Sequence, residues 1–546
     1  MSKKVRLGSG FNIGGDQAEA DPILDEAFYS SGQYATLADR LDTRCFIVGR
    51  TGSGKSAALK RLMEDHPEKV IRIVPEDLSL PYITNLDVVK KLQALDVDLQ
   101  SFWKALWRHV FIVEVIRHRY KIDNADSKST VLQTLREKVA RNPGKKLALA
   151  YLDEFEGKFW AETDERVREI TSTLTKKIEG DAEMRAGLPG IGSGAGSTSG
   201  SVEMSESDRR ELGQRYQRII NETQLARLNK MMDVLDEDVL GSTQDFTYIV
   251  IDDLDKDWVD AVLTNDLIMA LFKTVHDLKR VRNLKVLVAL RTNIFEHLDF
   301  GSASGGQEEK YRSLVLPMNW TRQQLESLID ERTRVASRYQ KADTVSFRGI
   351  LPNQNAKRGS ALTYLLDRTL LRPRDLISFV RECLLQSEGK SQISWDAIKQ
   401  AEIVYSENRL LALRDEWKIN YPGIDRAFET FRHASGRMNR EEIERRLDDC
   451  ILLLAEDGFT GKGWLEPLGA AVLSGHSKQS WAARYGPILK MLYSIGFLGV
   501  ASQGRRNPTF YIEEPNSLKF ERQIDLVESY FVARAYHSAL EVKVSD

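Results

Sequence analysis

The sequence predicts an α/β protein built on a parallel sheet, and three features predict it. An apolar strand, CFIVG (45–49), runs into a glycine-rich turn and then a helix, SAALKRLMEDH (56–66). A second strand, KVIRIV (69–74), follows that helix and ends at Pro75. Two further apolar runs, FTYIVI (246–251) and LKVLVAL (284–290), flank one helical stretch, and each ends in polar residues. Parallel strands need a crossover that returns the chain, and a helix is the usual one.

Length and composition narrow the class. A chain of 546 residues is long enough for about three to four domains. Hydrophobic residues make up 42% and charged residues 29%, the balance of a globular protein that buries its own core. Lys and Arg number 78 against 80 Asp and Glu, a formal charge of -2. That excludes a strongly basic nucleic-acid coat and a strongly acidic disordered chain, while leaving room for a local basic patch. Cys45, Cys383 and Cys450 lie far apart and form no metal-ligand spacing, so zinc and a disulfide framework are not expected. The opening MSKKVRLGSGFNIGGD has no apolar core of a signal peptide, and no run of 18 apolar residues occurs. The expectation is a cytoplasmic protein with no membrane role.

The elements follow in order. Residues 1–40 form an N-terminal segment, with a helix expected over ADPILDEAFYSSGQYATLADRL (20–41). Residues 41–344 form the sheet-bearing core, interrupted at 80–243 by a mainly helical insertion. Within the insertion, Phe102, Leu106, Val110 and Val113 recur at helical spacing. Charged helical segments are expected at 130–140, 164–184 and 208–237, and the Gly/Ser-rich 187–207 reads as a flexible loop. A further short strand is expected within RSLVLPMNW (312–320). Thr321 with Gln324 makes a capping box for the next helix. Residues 345–425 read as an all-helical lid. Residues 426–516 read as a winged-helix-like domain: helices, the strand ending YSIGFLGV, the turn SQGRRNP (502–508) and a returning strand TFYIEE. A C-terminal helix is expected over 517–546.

The glycine-rich turn carries the chemistry. GRTGSGKS (49–56) fits GxxxxGK[ST] between a strand and a helix, the P-loop of nucleoside-triphosphate-binding proteins. Gly49, Gly52 and Gly54 permit backbone angles and close approaches that other residues do not. Gly49, Arg50, Thr51, Gly52, Ser53, Gly54, Lys55, Ser56 and Ala57 are therefore the expected phosphate-binding set, through backbone N–H groups and the helix N-terminus. Lys55 is expected to bridge β- and γ-phosphates, and the hydroxyl of Ser56 to bind Mg²⁺. The fold class is thus α/β: a P-loop NTPase sheet with a large helical insertion, an all-helical lid region and a C-terminal winged-helix-like domain.

Such a site needs a carboxylate at the end of a neighbouring strand. FTYIVIDDLD (246–255) supplies Asp252 for Mg²⁺ and Asp253 to orient or deprotonate the attacking water. LALAYLDEF (147–155) competes with Asp153 and Glu154, but LALAYL is the better helix former. Arg291, Thr292 and Asn293 end the next strand, and Asn293 is the expected sensor of the γ-phosphate, with Arg291 as the alternative. Arg372 and Arg374 precede a helix beyond the core, and Arg374 is the expected catalytic arginine there, joining lid closure to hydrolysis. Arg312 is a weaker candidate for a finger acting in trans.

GRTGSGKSAALKRL, VIDDLD, ALRTN and RPRDLISF together resemble a broad group of bacterial P-loop ATPases near the KAP and STAND branches and the origin-recognition-like AAA+ ATPases. The resemblance covers 1–420. It implies an oligomerising ATP-dependent switch, with Lys55, Ser56, Asp252 and Asp253 in the nucleotide site, and for some relatives a place in antiphage defence. Many relatives carry Glu where this chain has Asp253, and the shorter reach implies slow or partner-stimulated hydrolysis.

Two functions of different class follow. One is a Mg²⁺–ATP switch or assembly module working on itself or on a partner protein. The other is a regulator of double-stranded DNA whose winged helix binds through Arg484, Lys490, Arg505 and Arg506. A DNA translocase is the least favoured. No NKxD motif for reading guanine occurs, which favours ATP over GTP.

Overall fold

The computed structural model describes residues 4–75, 99–122, 138–139, 141–155, 214, 225–254, 261–296, 298, 308–356, 358–475, 479–505 and 507–544. The expected helix at 164–184, the Gly/Ser loop 187–207, residues 208–224 of the expected helix 208–237 apart from 214, nearly all of 130–140 and Arg506 lie outside them. The described chain forms an α/β P-loop fold with extensive helical regions. It divides into two compact units: Thr36–Val48 with Leu62–Leu316, and Met1–Ala35 with Gly49–Arg61 and Pro317–Asp546. The division cuts the expected core of 41–344 and assigns the P-loop to the same unit as the N-terminal segment and both C-terminal regions.

The first unit is a five-stranded sheet. Its strands are β1 (Phe46–Gly49), β2 (Val70–Ile73), β3 (Thr247–Ile251), β4 (Leu284–Arg291) and β5 (Val315–Pro317), in the order β2-β3-β4-β1-β5. β2 pairs with β3 and β3 with β4 in parallel, in register from Val70 opposite Tyr248 and from Thr247 opposite Leu284. Every residue of β3 is buried, as a near-continuous β-branched and aromatic run requires. β4 lies between β1 and β3, so the acidic strand end belongs to a strand one place removed from the P-loop strand.

The helix Gln100–Tyr120 buries Phe102, Leu106, Val110 and Val113, the residues read at helical spacing, and Trp107 Nε1 donates to Leu267 O at 2.9 Å. Leu267 belongs to the helix Ala261–Leu278, and stacked rings of Phe46 and Phe272 tie that helix to β1. LALAYLDEF forms part of the helix Pro143–Phe155, as its residues favour.

The second unit has two cores. In one, Val5, Leu7 and Phe11 pack with helices Arg322–Tyr339, Pro373–Leu385 and Trp395–Trp417, and Phe379 stacks on Tyr405. The Thr321–Gln324 capping box is present. In the other, helices Arg440–Leu452, Lys462–Leu473 and Trp481–Ser494 precede an antiparallel pair, β6 (Leu498–Ser502) and β7 (Val527–Val532). Met438 adds a bridge to Tyr530.

Three expected elements differ. The N-terminal helix over 20–41 reduces to a 3₁₀ turn, Ala18–Ala20, and the helix Gly32–Ala38. Asp21 is tied by a distant arginine, and the Ser-Ser-Gly run at 30–32 breaks the helical pattern between the two. TFYIEE makes only the bridge from Thr509 to Val500, then turns as Phe510 N donates to Glu513. The returning strand is instead β7. Residues 517–546 are therefore not one helix: they hold Glu521–Asp525, β7 and the 3₁₀ turn Arg534–Tyr536. VESYFV ends in an aromatic and β-branched run, which favours a strand, and it pairs as one.

Candidate active site

The P-loop is shaped by what its carbonyls bind. Lys55 Nζ donates to Gly49 O at 2.7 Å and Arg50 O at 3.2 Å. Arg372 Nη1 donates to Thr51 O at 3.1 Å, the amide of Arg374 to Gly52 O at 3.3 Å, and Trp320 Nε1 to Ser53 O at 2.8 Å. Each loop carbonyl from Gly49 to Ser53 thus has a protein donor. Among the described residues, the amides of Gly52 and Gly54 meet no protein acceptor. The helix begins at Lys55, so its first-turn amides lack partners within the helix. A loop with carbonyls tied back and amides left over is built to receive an anion.

Glycine is required at two of these positions. Gly52 has φ of +80° and Gly54 of +90°. A Cβ on Gly52 would stand 2.7 Å from Arg374 Cβ. An L-residue there would meet both backbone strain and a collision.

The loop opens into a hollow of about 840 Å³ of non-atom space, open solvent at its mouth included. Gly52, Gly54, Lys55, Ser56 and Ala57 form its polar floor. Leu24, Ala27, Leu328 and Ile377 give an apolar wall, with Phe28, Tyr29 and Trp320 beside it. A lining that combines polar donors with apolar and aromatic groups suits a phosphorylated nucleotide. Arg374 also lines the hollow, and its Nε donates to Asp16 O at 3.0 Å. Burial lowers the Arg374 guanidinium from its ordinary value, with Asp16 opposing. It remains a cation at neutral pH.

The wall formed by 15–34 was not legible as part of the site. It is held by a buried ion pair, Arg332 Nη2 to Asp21 Oδ2 at 2.7 Å, while Arg332 Nη1 donates to Ile13 O at 2.8 Å. Gly14, at φ +88°, leaves room for both: a Cβ there would lie 2.3 Å from Arg332 Nη1 and 2.4 Å from Asp21 Oδ1. The only local signal is the glycine-rich FNIGGD before Asp21.

Other expected residues fall elsewhere. The side chain of Arg50 and the amide of Thr51 turn to Glu416, and neither residue lines the hollow, nor do Gly49 and Ser53. Arg372 is fully buried and bonds Asp375 and Glu416, so the two arginines of RPRD do different jobs.

In the sheet unit, Asp252 and Asp253 follow β3, both half-buried, with Asp253 N donating to Asp252 Oδ1 at 2.9 Å. Asp253 takes φ of +62°, a left-handed conformation that Asp tolerates better than most residues. Arg291 ends β4, whereas Asn293 lies one residue inside the short helix Thr292–Glu296. These residues leave the same end of a parallel pair, where α/β sheets bind ligands. Hydroxyl and carboxylate oxygens such as those of Ser56 and Asp252 are the donors Mg²⁺ takes. Arg312 lies over the ring of Phe295, and exposed Glu154 pairs with Arg227.

In the C-terminal region, Arg505 pairs with Glu514 at 2.7 Å, and Lys490 Nζ donates to Lys519 O at 3.0 Å. No residue of the helix Trp481–Ser494 is fully exposed, and a Cβ on its Gly486 would meet Ile524 at 3.0 Å. Among the described residues, no helix is long and apolar enough to cross a membrane and no group of metal-ligating side chains gathers.

Comparison with known proteins gives partial matches. A family model described as the FunZ-associated C-terminal helical domain matches residues 323–414, the stretch that carries Arg372 and Arg374. The chain is 22% identical over 522 residues, 91% of its length, to the "Putative transposon gamma-delta 80.3 kDa protein" of Escherichia coli (strain K12), and spans 63% of that relative. Among solved structures, a Walker-type ATPase of Pyrococcus abyssi aligns at 10% identity over 97% of this chain and 99% of that one, with a TM-score of 0.34. Cdc6p of Pyrobaculum aerophilum aligns at 10% identity over 92% and 96%, TM-score 0.26. The ORC1 protein of Aeropyrum pernix in complex with DNA aligns at 12% identity over 93% and 90%, TM-score 0.29.

Proposed function

We propose that this chain binds ATP with Mg²⁺ and hydrolyses it slowly, as a nucleotide-dependent switch or assembly module. The observation that carries the reading is the P-loop itself: its carbonyls are taken by Lys55, Arg372, Arg374 and Trp320, and its remaining amides open on a hollow that Arg374 also lines. The amides and Lys55 hold the phosphates, and the wall of 15–34 takes the nucleoside. Ser56 and Asp252 would hold Mg²⁺, which when bound screens the charge that builds on the phosphate oxygens.

Asp253 accepts a proton as water attacks the terminal phosphorus and the bond to the ADP oxygen breaks. Asn293 orients that water or the γ-phosphate. Arg374 approaches the same phosphate from the helical side, so the helix Pro373–Leu385 responds to whether it is present. In this reading the switch assembles with itself or with a partner protein.

A prokaryotic defence or mobile-element setting is part of the proposal. It is supported by the resemblance to KAP- and STAND-like ATPases and by the transposon name of the E. coli relative.

A second reading, a winged-helix regulator of double-stranded DNA, draws on the order of three helices, β6 and β7 with the Met438 bridge. Against it, the helix that would enter a groove packs its Gly486 against Ile524 and carries no fully exposed residue. The test is ATP turnover with and without DNA. Turnover indifferent to DNA supports the switch, and strong stimulation supports the regulator.

A further inference from the structure

Outside the hollow, a heavily buried cluster of charges among the described residues holds the side of the P-loop that faces away from it. Arg50 Nη2 donates to Glu416 Oε2 at 3.2 Å and to Ile495 O at 2.8 Å. The amide of Thr51 donates to Glu416 Oε1 at 3.4 Å. Arg372 Nη1 reaches Glu416 Oε2 at 3.3 Å and Thr51 O at 3.1 Å, while its Nε bonds Asp375 at 2.8 Å. Arg409 closes the far side on Asp375 at 2.8 Å. The side chain of Glu416 is 6% exposed and that of Arg50 10%.

Two facts make this more than packing. Ion pairs buried this deeply are weak contributors to stability, since desolvation offsets much of their attraction, and apolar residues would fill the space as well. And both groups that Glu416 holds from the loop belong to its second and third residues, which face away from the hollow. Gly496, at φ +77°, keeps the place open: a Cβ there would lie 2.4 Å from Arg50 Nη1. Arg50 therefore joins three segments at once, namely the P-loop, the end of the helix Trp395–Trp417 and the carbonyl that ends the helix Trp481–Ser494.

We propose that Glu416 is a positioning residue of the nucleotide site, gripping Arg50 and Thr51 so that phosphate binding by the loop and the seating of Ile495 and β6 are one coupled equilibrium. Glu416 touches no phosphate. It sets where the loop amides stand, and a loop drawn toward phosphate pulls on Glu416 and Ile495 through Arg50. The proposal rests on nucleotide binding at the P-loop and adds how that binding is transmitted.

The test uses the full chain. A fluorescent ATP analogue is titrated into wild type, Lys55→Ala, Glu416→Gln, Arg50→Lys and the double variant Arg50→Lys/Glu416→Gln. Hydrogen exchange of residues 495–502 is followed with and without ATP. Glu416→Gln keeps the shape and an acceptor for Thr51 but loses the charge. Arg50→Lys keeps the charge but cannot reach Glu416 and Ile495 together.

Glu416→Gln is expected to weaken binding roughly ten-fold, within the usual range for coupled sites. The double variant should be little weaker than the worse single one, because both remove the same grip. ATP should slow exchange at 495–502 in wild type and not in either single variant. If Glu416→Gln does not fold, Arg50→Lys alone carries the test through that exchange. Wild-type affinity together with intact ATP-dependent protection in Arg50→Lys overturns the proposal. A wild type that binds no more analogue than Lys55→Ala overturns the nucleotide site itself, and the coupling with it.

Discussion

The amide of Arg374 donates to Gly52 O at 3.3 Å, and a Cβ on Gly52 would stand 2.7 Å from Arg374 Cβ. The central glycine of the P-loop and the arginine of the following helical region are thus fitted to one another. Gly52→Ala adds a methyl group at φ +80°, where an L-residue costs about 1–2 kcal/mol, and drives it into Arg374. We expect ATP affinity to fall at least about ten-fold, the equivalent of ~1.4 kcal/mol, with the chain still folded. Titration calorimetry beside a thermal melt checks this. Unchanged affinity would mean that the loop does not bind phosphate in this conformation.

Asp253 stands at φ +62°, a conformation that Asn adopts as readily. Asp253→Asn should therefore leave stability and ATP binding nearly intact while turnover falls by roughly 10²-fold or more, the contribution of a general base. Single-turnover hydrolysis with saturating Mg²⁺–ATP makes the comparison. Equal rates would remove Asp253 from the proton path.

Burial pushes the His109 imidazole down to about 3, against an ordinary value of 6.5. The folded chain holds this ring neutral beside the hydroxyl of Tyr151 at 2.8 Å, while the unfolded chain protonates it readily. Stability from this group is fully present above about pH 6.5 and is lost as pH falls toward 3. The loss should reach about 2 kcal/mol by pH 5. Urea midpoints of wild type and His109→Gln, measured from pH 7.5 to 5, should converge as pH falls. Parallel curves would contradict the assignment.

Arg505 is paired with Glu514, and the helix Trp481–Ser494 presents no fully exposed residue. Double-stranded DNA should therefore leave ATP turnover unchanged at physiological salt, and Arg505→Glu should not alter that. DNA stimulation lost on Arg505→Glu would show that the cover lifts and that the wing reads phosphates.

Local signals were legible in the sequence and distant ones were not. β1, β2, β3 and β4 are short β-branched or aromatic runs, and the capping box spans only Thr321 to Gln324, so each is written within its own neighbourhood. The P-loop is likewise a contiguous motif. The wall of 15–34 depends on an ion pair between residues 311 apart in sequence, and the grip on Arg50 on one 366 apart. Nothing beside Asp21 or Glu416 announces those partners. The last strand is illegible for another reason: VESYFV is only six residues long, shows no apolar–polar alternation and sits among charged residues that suit a helix equally well. The strand order was also beyond local reading, since placing β4 between β1 and β3 is decided by packing across the sheet.

The proposed function stands on ATP binding and turnover at the P-loop. The most direct measurement is phosphate release by the purified full chain with Mg²⁺–ATP, beside Lys55→Ala, which removes the ammonium group now held by Gly49 O and Arg50 O. Slow release that Lys55→Ala abolishes is the expected result. Release that persists at the wild-type rate in Lys55→Ala, or wild-type protein that neither binds nor hydrolyses ATP, would contradict it.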